Sequence, residues 1–179
     1  MVNYRRDITS GGTYFFTLAL RNRRSDLLTK YISLLGNSFR LARKNNNFIT
    51  KAIVVLPEHI HVIWQLPIDD HDYSTRLRQC KTYFTKGLIN LGVPLVRNSH
   101  KEYNLWQRRF WEHRIRNDKD LEQHTAYIHY NPVKHKLVKT AAEWPYSSIH
   151  DYIKLGLLPE NWGGDSVAGC FGEIGEIGD

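Results

Sequence analysis

Two histidines separated by one residue stand in the run His59-Ile60-His61-Val62-Ile63-Trp64-Gln65-Leu66. In an extended strand successive side chains point to opposite faces. Ile60, Val62, Trp64 and Leu66 then share one face, which can be core, and His59 and His61 share the other. Two imidazoles placed in this way can converge on one metal ion, for which neutral imidazole is the commonest side-chain ligand. They can equally be two polar residues on a half-exposed strand. No cysteine or third histidine lies close to the pair, so a closed structural zinc site is not expected. An open site shared with water and a phosphate oxygen fits better, and oxygen-rich surroundings favour Mg or Mn, with Mn the more tolerant of imidazole.

A second constellation lies in Asp118-Lys119-Asp120-Leu121-Glu122-Gln123-His124-Thr125-Ala126-Tyr127-Ile128-His129-Tyr130-Asn131-Pro132. Leu121, His124 and Ile128 recur at helical spacing and mark an inner face. Tyr127 and Asn131 are four apart, so a phenol and an amide oxygen share one helix face. Together they can act as nucleophile and metal ligand; alone, such a tyrosine is an ordinary packing residue. Because a residue before proline disfavours the helical conformation, the helix is expected to end at Tyr130, with Asn131 as its terminal residue.

The elements that would carry these residues follow from periodicity. Tyr14–Leu20, Phe48–Leu56, His59–Leu66 and Arg109–Ile115 read as strands. Asp26–Lys44, Tyr73–Leu91 and a segment capped by Asn117 or Asp118 read as helices. The order strand, helix, strand, strand, helix, strand is the split βαβ, ferredoxin-like α+β plan. It predicts an antiparallel sheet with two helices on one face and further helices toward the C-terminus. Such a fold serves many functions, so the site has to decide between them.

Composition narrows the partners. The 179 residues carry a net charge of +7 and include 5 Trp and 10 Tyr. The last 17 residues, from Gly163, hold Asp165, Glu173, Glu176 and Asp179 and no basic residue, which leaves +11 on residues 1–162. Residues 1–162 are therefore read as one domain and 163–179 as a flexible, acidic, glycine-rich tail. A body this basic and aromatic suits a polyanion with faces to stack on. Arg108, Arg109 and Arg114 flank Trp111, and Lys134 follows the tyrosine helix; these residues, with the basic start Tyr4-Arg5-Arg6, are the candidate DNA contacts. Phe110 reads as core, whereas Trp111 can be core or a stacking surface. No apolar run reaches the roughly 20 residues of a membrane span. The first residues lack the apolar core of a secretory signal, and Cys80 and Cys170 form no disulfide framework, so a soluble cytoplasmic protein is expected.

Five separated stretches carry a family resemblance. They are Tyr4-Arg5-Arg6 with Gly11-Gly12-Thr13-Tyr14-Phe15-Phe16-Thr17, Leu56-Pro57-Glu58-His59-Ile60-His61, Trp106-Gln107-Arg108-Arg109-Phe110-Trp111-Glu112-His113, Tyr127-Ile128-His129-Tyr130-Asn131-Pro132-Val133-Lys134, and Trp144-Pro145-Tyr146-Ser147-Ser148. The second resembles the HUH motif (His, hydrophobic, His) of single-strand DNA nucleases. The whole series, in order from Tyr4 to about Trp162, resembles the REP-associated tyrosine transposases, relatives of the single-tyrosine transposases of small insertion sequences. The resemblance implies that His59 and His61 are metal ligands, that Tyr127 is the nucleophile, and that Asn131 completes the metal site. It implies single-stranded DNA hairpins of the REP type as substrate, cut through a 5′-phosphotyrosine intermediate, and a bacterial, nucleoid-associated location. A monomer is the expected state, with a dimer left open. The rival readings are a nucleic-acid-binding module that does not cut, and another HUH nuclease such as a replication initiator or relaxase.

Overall fold

The computed structural model describes residues 9–163. Tyr4, Arg5 and Arg6, and the tail from residue 164 on, including Cys170, lie outside the described residues. The elements follow in the order β1 (Thr13–Ala19), α1 (Leu27–Lys30), α2 (Ile32–Asn45), β2 (Ile49–Val55), β3 (His59–Gln65), α3 (Tyr73–Asn90), β4 (Trp111–Arg114), α4 (Asp118–Lys134) and α5 (Ile149–Lys154). The four strands form one antiparallel sheet in the order β2-β3-β1-β4, as the split βαβ plan requires. None of the helices among the described residues is long and apolar enough to cross a membrane.

The sheet is buried on both faces. Tyr14, Phe16 and Leu18 of β1 and Ile60, Val62 and Trp64 of β3 point one way and form the main core with Leu35 of α2 and Leu77, Phe84 and Leu88 of α3. Phe15, Ala52, Val54 and Ile63 point the other way and pack on Tyr127 and Ile128 of α4. The strand alternation thus separates the two histidines from Ile60, Val62 and Trp64, as expected from the sequence. The histidine face is not half-exposed, however, because α4 covers it: His59 is 3% and His61 2% exposed.

Two boundaries differ from the sequence expectation. The first long helix is interrupted at Tyr31, where φ is −113° and ψ 39°. The tyrosine helix does not stop at Tyr130 but runs to Lys134, with Pro132 inside it. The reason lies in what the last turn gains. Leu137 N–H donates to Pro132 O and Lys136 N–H to Val133 O, both at 2.9 Å, the paired bonds that close a helix C-terminus. Asn117 caps the other end, its side chain accepting from Asp120 N–H at 2.9 Å.

The segment 144–148 fastens α4 to the edge strand. Val55 N–H donates to Tyr146 O and Ser148 N–H to Ile53 O, both at 2.8 Å. Ser148 Oγ accepts from Ile53 N–H at 2.9 Å and meets His129 Nε2 of α4 at 3.0 Å. Burial pushes the His129 imidazole down to about 4, so it stays neutral in this clamp at neutral pH.

The closing turn of α4 leaves one sign of strain. Lys136 has φ 56°, a left-handed conformation that favours glycine. Lys136→Gly is expected to stabilise the protein by about 1 kcal/mol, and Lys136→Val to destabilise it, measured by urea unfolding at constant slope. Loss of stability in the glycine variant would contradict this account of how α4 ends.

Candidate active site

The site is built where α4 crosses β1 and β3. On the α4 face of the sheet, His61 lies beside Thr17 of β1, Thr17 beside Trp111 of β4, and His59 beside Ala19. The two imidazole rings are 4.8 Å apart at 79° to one another. Each is held at one nitrogen. His61 Nδ1 is 2.9 Å from Thr17 Oγ1, and His59 Nδ1 is 2.9 Å from Glu58 Oε1. Burial favours the neutral Glu58 carboxyl, but the hydrogen bond and charge of His59 outweigh it and hold the group below the usual carboxylate range. Burial, followed by the neighbouring charges of His59, His135 and Lys134, drives His61 well below the usual imidazole range, so this ring is neutral at physiological pH.

The helix lays a matching row over the pair. Tyr127, Asn131 and His135 are spaced by four and so fall on one side of α4 and its cap. The Tyr127 ring is 5.3 Å from the His61 ring, and the His135 ring is 5.0 Å from the His59 ring. Asn131 lies between them in the row. It is fully buried, and neither its Oδ1 nor its Nδ2 has a hydrogen-bond partner. The Nε2 of His61 is likewise buried without one. Buried polar atoms are nearly always paired, and leaving one unpaired costs roughly 1–3 kcal/mol. An imidazole nitrogen and an amide oxygen left in this state are the donor set an open divalent-cation site requires, so His59, His61 and Asn131 fit such an ion.

The ring of Phe15 holds the arrangement together. It stands 5.4 Å from His61, 6.1 Å from Tyr127, 5.5 Å from Trp111 and 5.1 Å from His124. The exposed Lys134 puts its ammonium 5.1 Å from the centre of the Tyr127 ring.

Trp111, half-buried, borders the histidine row, and Arg108 and Arg109 are exposed before it. Phe110 packs against Phe16 and Tyr73 in the main core, as read from the sequence. Arg114, paired with Tyr14, lies on the opposite face of the sheet from the histidines and donates to Thr9 Oγ1 at 2.8 Å. It is not part of the site. Thr17 and His135 are additional members. His135 follows from the spacing of Tyr127 and Asn131 once the helix is carried past Pro132. Thr17 had no sequence signal, because its role depends on strand register.

A second group has the composition of a divalent-metal site. His113, Asp120 and His124 bring their ligand atoms within 4.8 Å of one another. As folded, His113 Nε2–H donates to Asp120 Oδ2 at 3.0 Å and His124 Nδ1 lies 2.9 Å from Oδ1, while Arg116 N–H also donates to Oδ2. The two imidazoles stack at 4.5 Å and 10°. The three groups are a candidate site for a divalent ion and, as folded, are joined to one another by these hydrogen bonds.

Relatives resolve which family uses this arrangement. A putative REP-associated tyrosine transposase of Haemophilus influenzae is 46% identical over 97% of this chain and 100% of its own length. The chain belongs to that family. A REP-associated tyrosine transposase of Escherichia coli is 44% identical over 97% of this chain and 98% of its own. A solved structure of a REP-associated tyrosine transposase bound to a REP hairpin is 45% identical, superposes with a TM-score of 0.81, and covers 92% of this chain and 93% of that one. No family model matches the chain. Membership makes the chain one of a group of DNA-cutting enzymes and sets aside the replication initiator and relaxase readings.

The Thr17 contact makes a claim about the proton on His61. We expect nitrogen NMR to find Nδ1 protonated, donating to Thr17, and Nε2 a bare lone pair facing the site. Thr17→Val keeps the shape of the side chain and should mix the tautomers without unfolding the protein. A proton fixed on Nε2 in the wild type would mean that this nitrogen is not preset as a ligand.

Proposed function

We propose that this transposase cuts and rejoins single-stranded DNA beside hairpins of the REP type, with Tyr127 as nucleophile and a divalent ion, Mg or Mn, held by His59, His61 and Asn131. The observation that carries the reading is the row Tyr127–Asn131–His135 laid against His61 and His59, with the His61 Nε2 and the Asn131 amide buried and unpaired. The hairpin substrate is supported by the 45% identical relative, which was solved with a REP hairpin bound.

A tyrosine phenol ordinarily has a pKa of about 10 and is a weak nucleophile at neutral pH. When bound, the ion supplies charge stabilisation on the oxygens of the scissile phosphate. The chain's own groups do the rest. Phe15 and His61 fix the Tyr127 ring, and Lys134 places positive charge beside the phenol, where negative charge gathers. Tyr127 Oη bonds to phosphorus as the bond from phosphorus to the 3′ oxygen breaks. The phenolic proton is lost, one proton is taken up by the departing oxygen, and the products are a 5′-phosphotyrosine and a free 3′-OH. The number of phosphoester bonds is unchanged, so a 3′-OH can reverse the step and join strands with no nucleotide triphosphate. Tyr127 is only 1% exposed and the Lys134 ammonium lies over its ring, so DNA reaches it when the exposed Lys134 side chain moves aside.

Residues 1–162 act as the one catalytic domain, functioning as a monomer. Tyr4, Arg5 and Arg6 read bases beside the hairpin foot, with Arg108, Arg109 and Trp111 along the same strand. The acidic tail is dispensable for folding.

Labelled hairpin DNA with single-stranded flanks, incubated with Mn, tests the proposal. The wild type should form a covalent adduct. Tyr127→Phe should form none while keeping its fold and DNA affinity, since only one oxygen is lost. His59→Ala and His61→Ala should lose cleavage and retain binding, because ligands at an ion's coordination sphere are removed and the basic surface is not. Normal cleavage by Tyr127→Phe would move the nucleophile to Tyr130, and absence of an adduct with every hairpin and metal would favour a protein that only binds.

A further inference from the structure

Beyond the end of β1, the chain from Leu105 to Gln107 extends the sheet edge. Leu20 bridges Trp106, Gln107 N–H donates to Ala19 O, and Arg21 N–H donates to Leu105 O, both at 2.9 Å. Between this segment and α3 runs a groove of about 560 Å³, bordered by Arg21, Lys81, Lys86, Trp106 and Arg108, with Glu102 its one carboxylate. Glu102 is turned toward Asn98, whose Nδ2 donates to it at 3.4 Å.

The cations are not neutralised. Arg21, Lys86 and Arg108 are exposed, and neither they nor Lys81 enter any ion pair of the described residues. Lys81 is the most telling. Its ammonium stands 5.6 Å from the centre of the Trp106 ring and donates to Gln107 O at 3.0 Å, and desolvation lowers its pKa to about 8. Holding an ammonium partly out of water without an anion is unfavourable, and an anion entering the groove relieves that cost. The indole is fixed as a wall, with Nε1–H donating to Thr85 Oγ1 at 3.2 Å and Phe84 against its edge at 5.8 Å. With Lys81 over one face of the ring, the groove presents charge rather than an open stacking platform.

Its position links it to the active site. Ala19, which Gln107 hydrogen-bonds, is the cross-strand neighbour of His59. Two strand spacings, about 10 Å, separate the histidine from the groove edge. In the plane of the sheet that distance spans about three stacked nucleotides at 3.4 Å each, before the turn around the edge.

We infer that the groove between α3 and the 98–108 segment is a backbone-binding site for the DNA that passes around the sheet edge from His59, gripping its phosphates through Arg21, Lys81, Lys86 and Arg108 without reading bases. The inference rests on the proposed nuclease function for the direction of the strand. The phosphates can belong to the single-stranded flank or to the hairpin stem.

The test is a salt titration of binding with three DNAs: the hairpin alone, the flank alone, and the hairpin with its flank. The triple variant Arg21→Ala/Lys86→Ala/Arg108→Ala changes exposed side chains only, and circular dichroism checks its fold. Its slope of log K against log salt should be shallower by about 2 on single strands or about 3 on duplex, following 0.7 to 0.9 per phosphate contact. Loss on the flank assigns the groove to the flank, and loss on the hairpin alone assigns it to the stem. The comparison pair Lys44→Ala in α2 and Lys51→Ala in β2 should lose less on every DNA. Unchanged slopes on all three DNAs, or an equal loss in the comparison pair, would overturn the inference. The two proposals fail separately: an adduct with unchanged slopes leaves the nuclease and removes the groove, whereas a changed slope with no adduct leaves the groove and removes the nuclease.

Discussion

The structure depends on α4 lying across the face of the sheet that carries the histidines. That packing is driven by ordinary apolar burial, Phe15, Val54 and Ile63 against Tyr127 and Ile128. It also carries Asn131 into a fully buried position, where its amide atoms, like Nε2 of His61, have no hydrogen-bond partner. Tyr127 and Asn131 are one helical turn apart, so the same packing fixes both side chains over the histidine face.

The surrounding elements keep that helix in place. Trp64, on the opposite face from the histidines, is buried in the main core between Phe48, Phe39 and Phe16. It anchors β3 so that the histidines cannot tip out of register. His129, two residues after Tyr127, is tied through Ser148 to β2. Sheet, helix and the 144–148 segment therefore share one set of hydrogen bonds, and Thr17 and Glu58 orient the imidazoles within it.

Much of this is legible in the residues. The alternation of Ile60, Val62 and Trp64 against His59 and His61 gives the two faces of β3, and the spacing of Tyr127 and Asn131 gives a shared helix side. The four strands and the order of helices follow from periodicity and caps. What periodicity cannot supply is register and what covers a face. Thr17 becomes a partner of His61 only through pairing of β1 with β3, and the burial of the histidines comes from α4 docking over them. The end of α4 does not follow from the local preference of a residue before proline, because in the fold the paired bonds to the Pro132 and Val133 carbonyls and the burial of Asn131 and Pro132 outweigh it. That extra turn is what brings His135 to His59. Nearness in sequence groups Arg114 with the arginines around Trp111, yet strand alternation puts it on the other face of the sheet from Trp111.

In the proposed site the buried amide of Asn131 serves a metal and not the fold. Thermal and urea unfolding of Asn131→Leu, with and without Mn, tests it directly. The account predicts that the metal-free variant is more stable than the metal-free wild type by about 1 kcal/mol, since an unpaired buried amide is removed. It also predicts that Mn, which stabilises the wild type by about 2.7 kcal/mol at a hundredfold excess over its dissociation constant, no longer stabilises the variant. A variant less stable without metal and still stabilised by Mn to the same extent would contradict it.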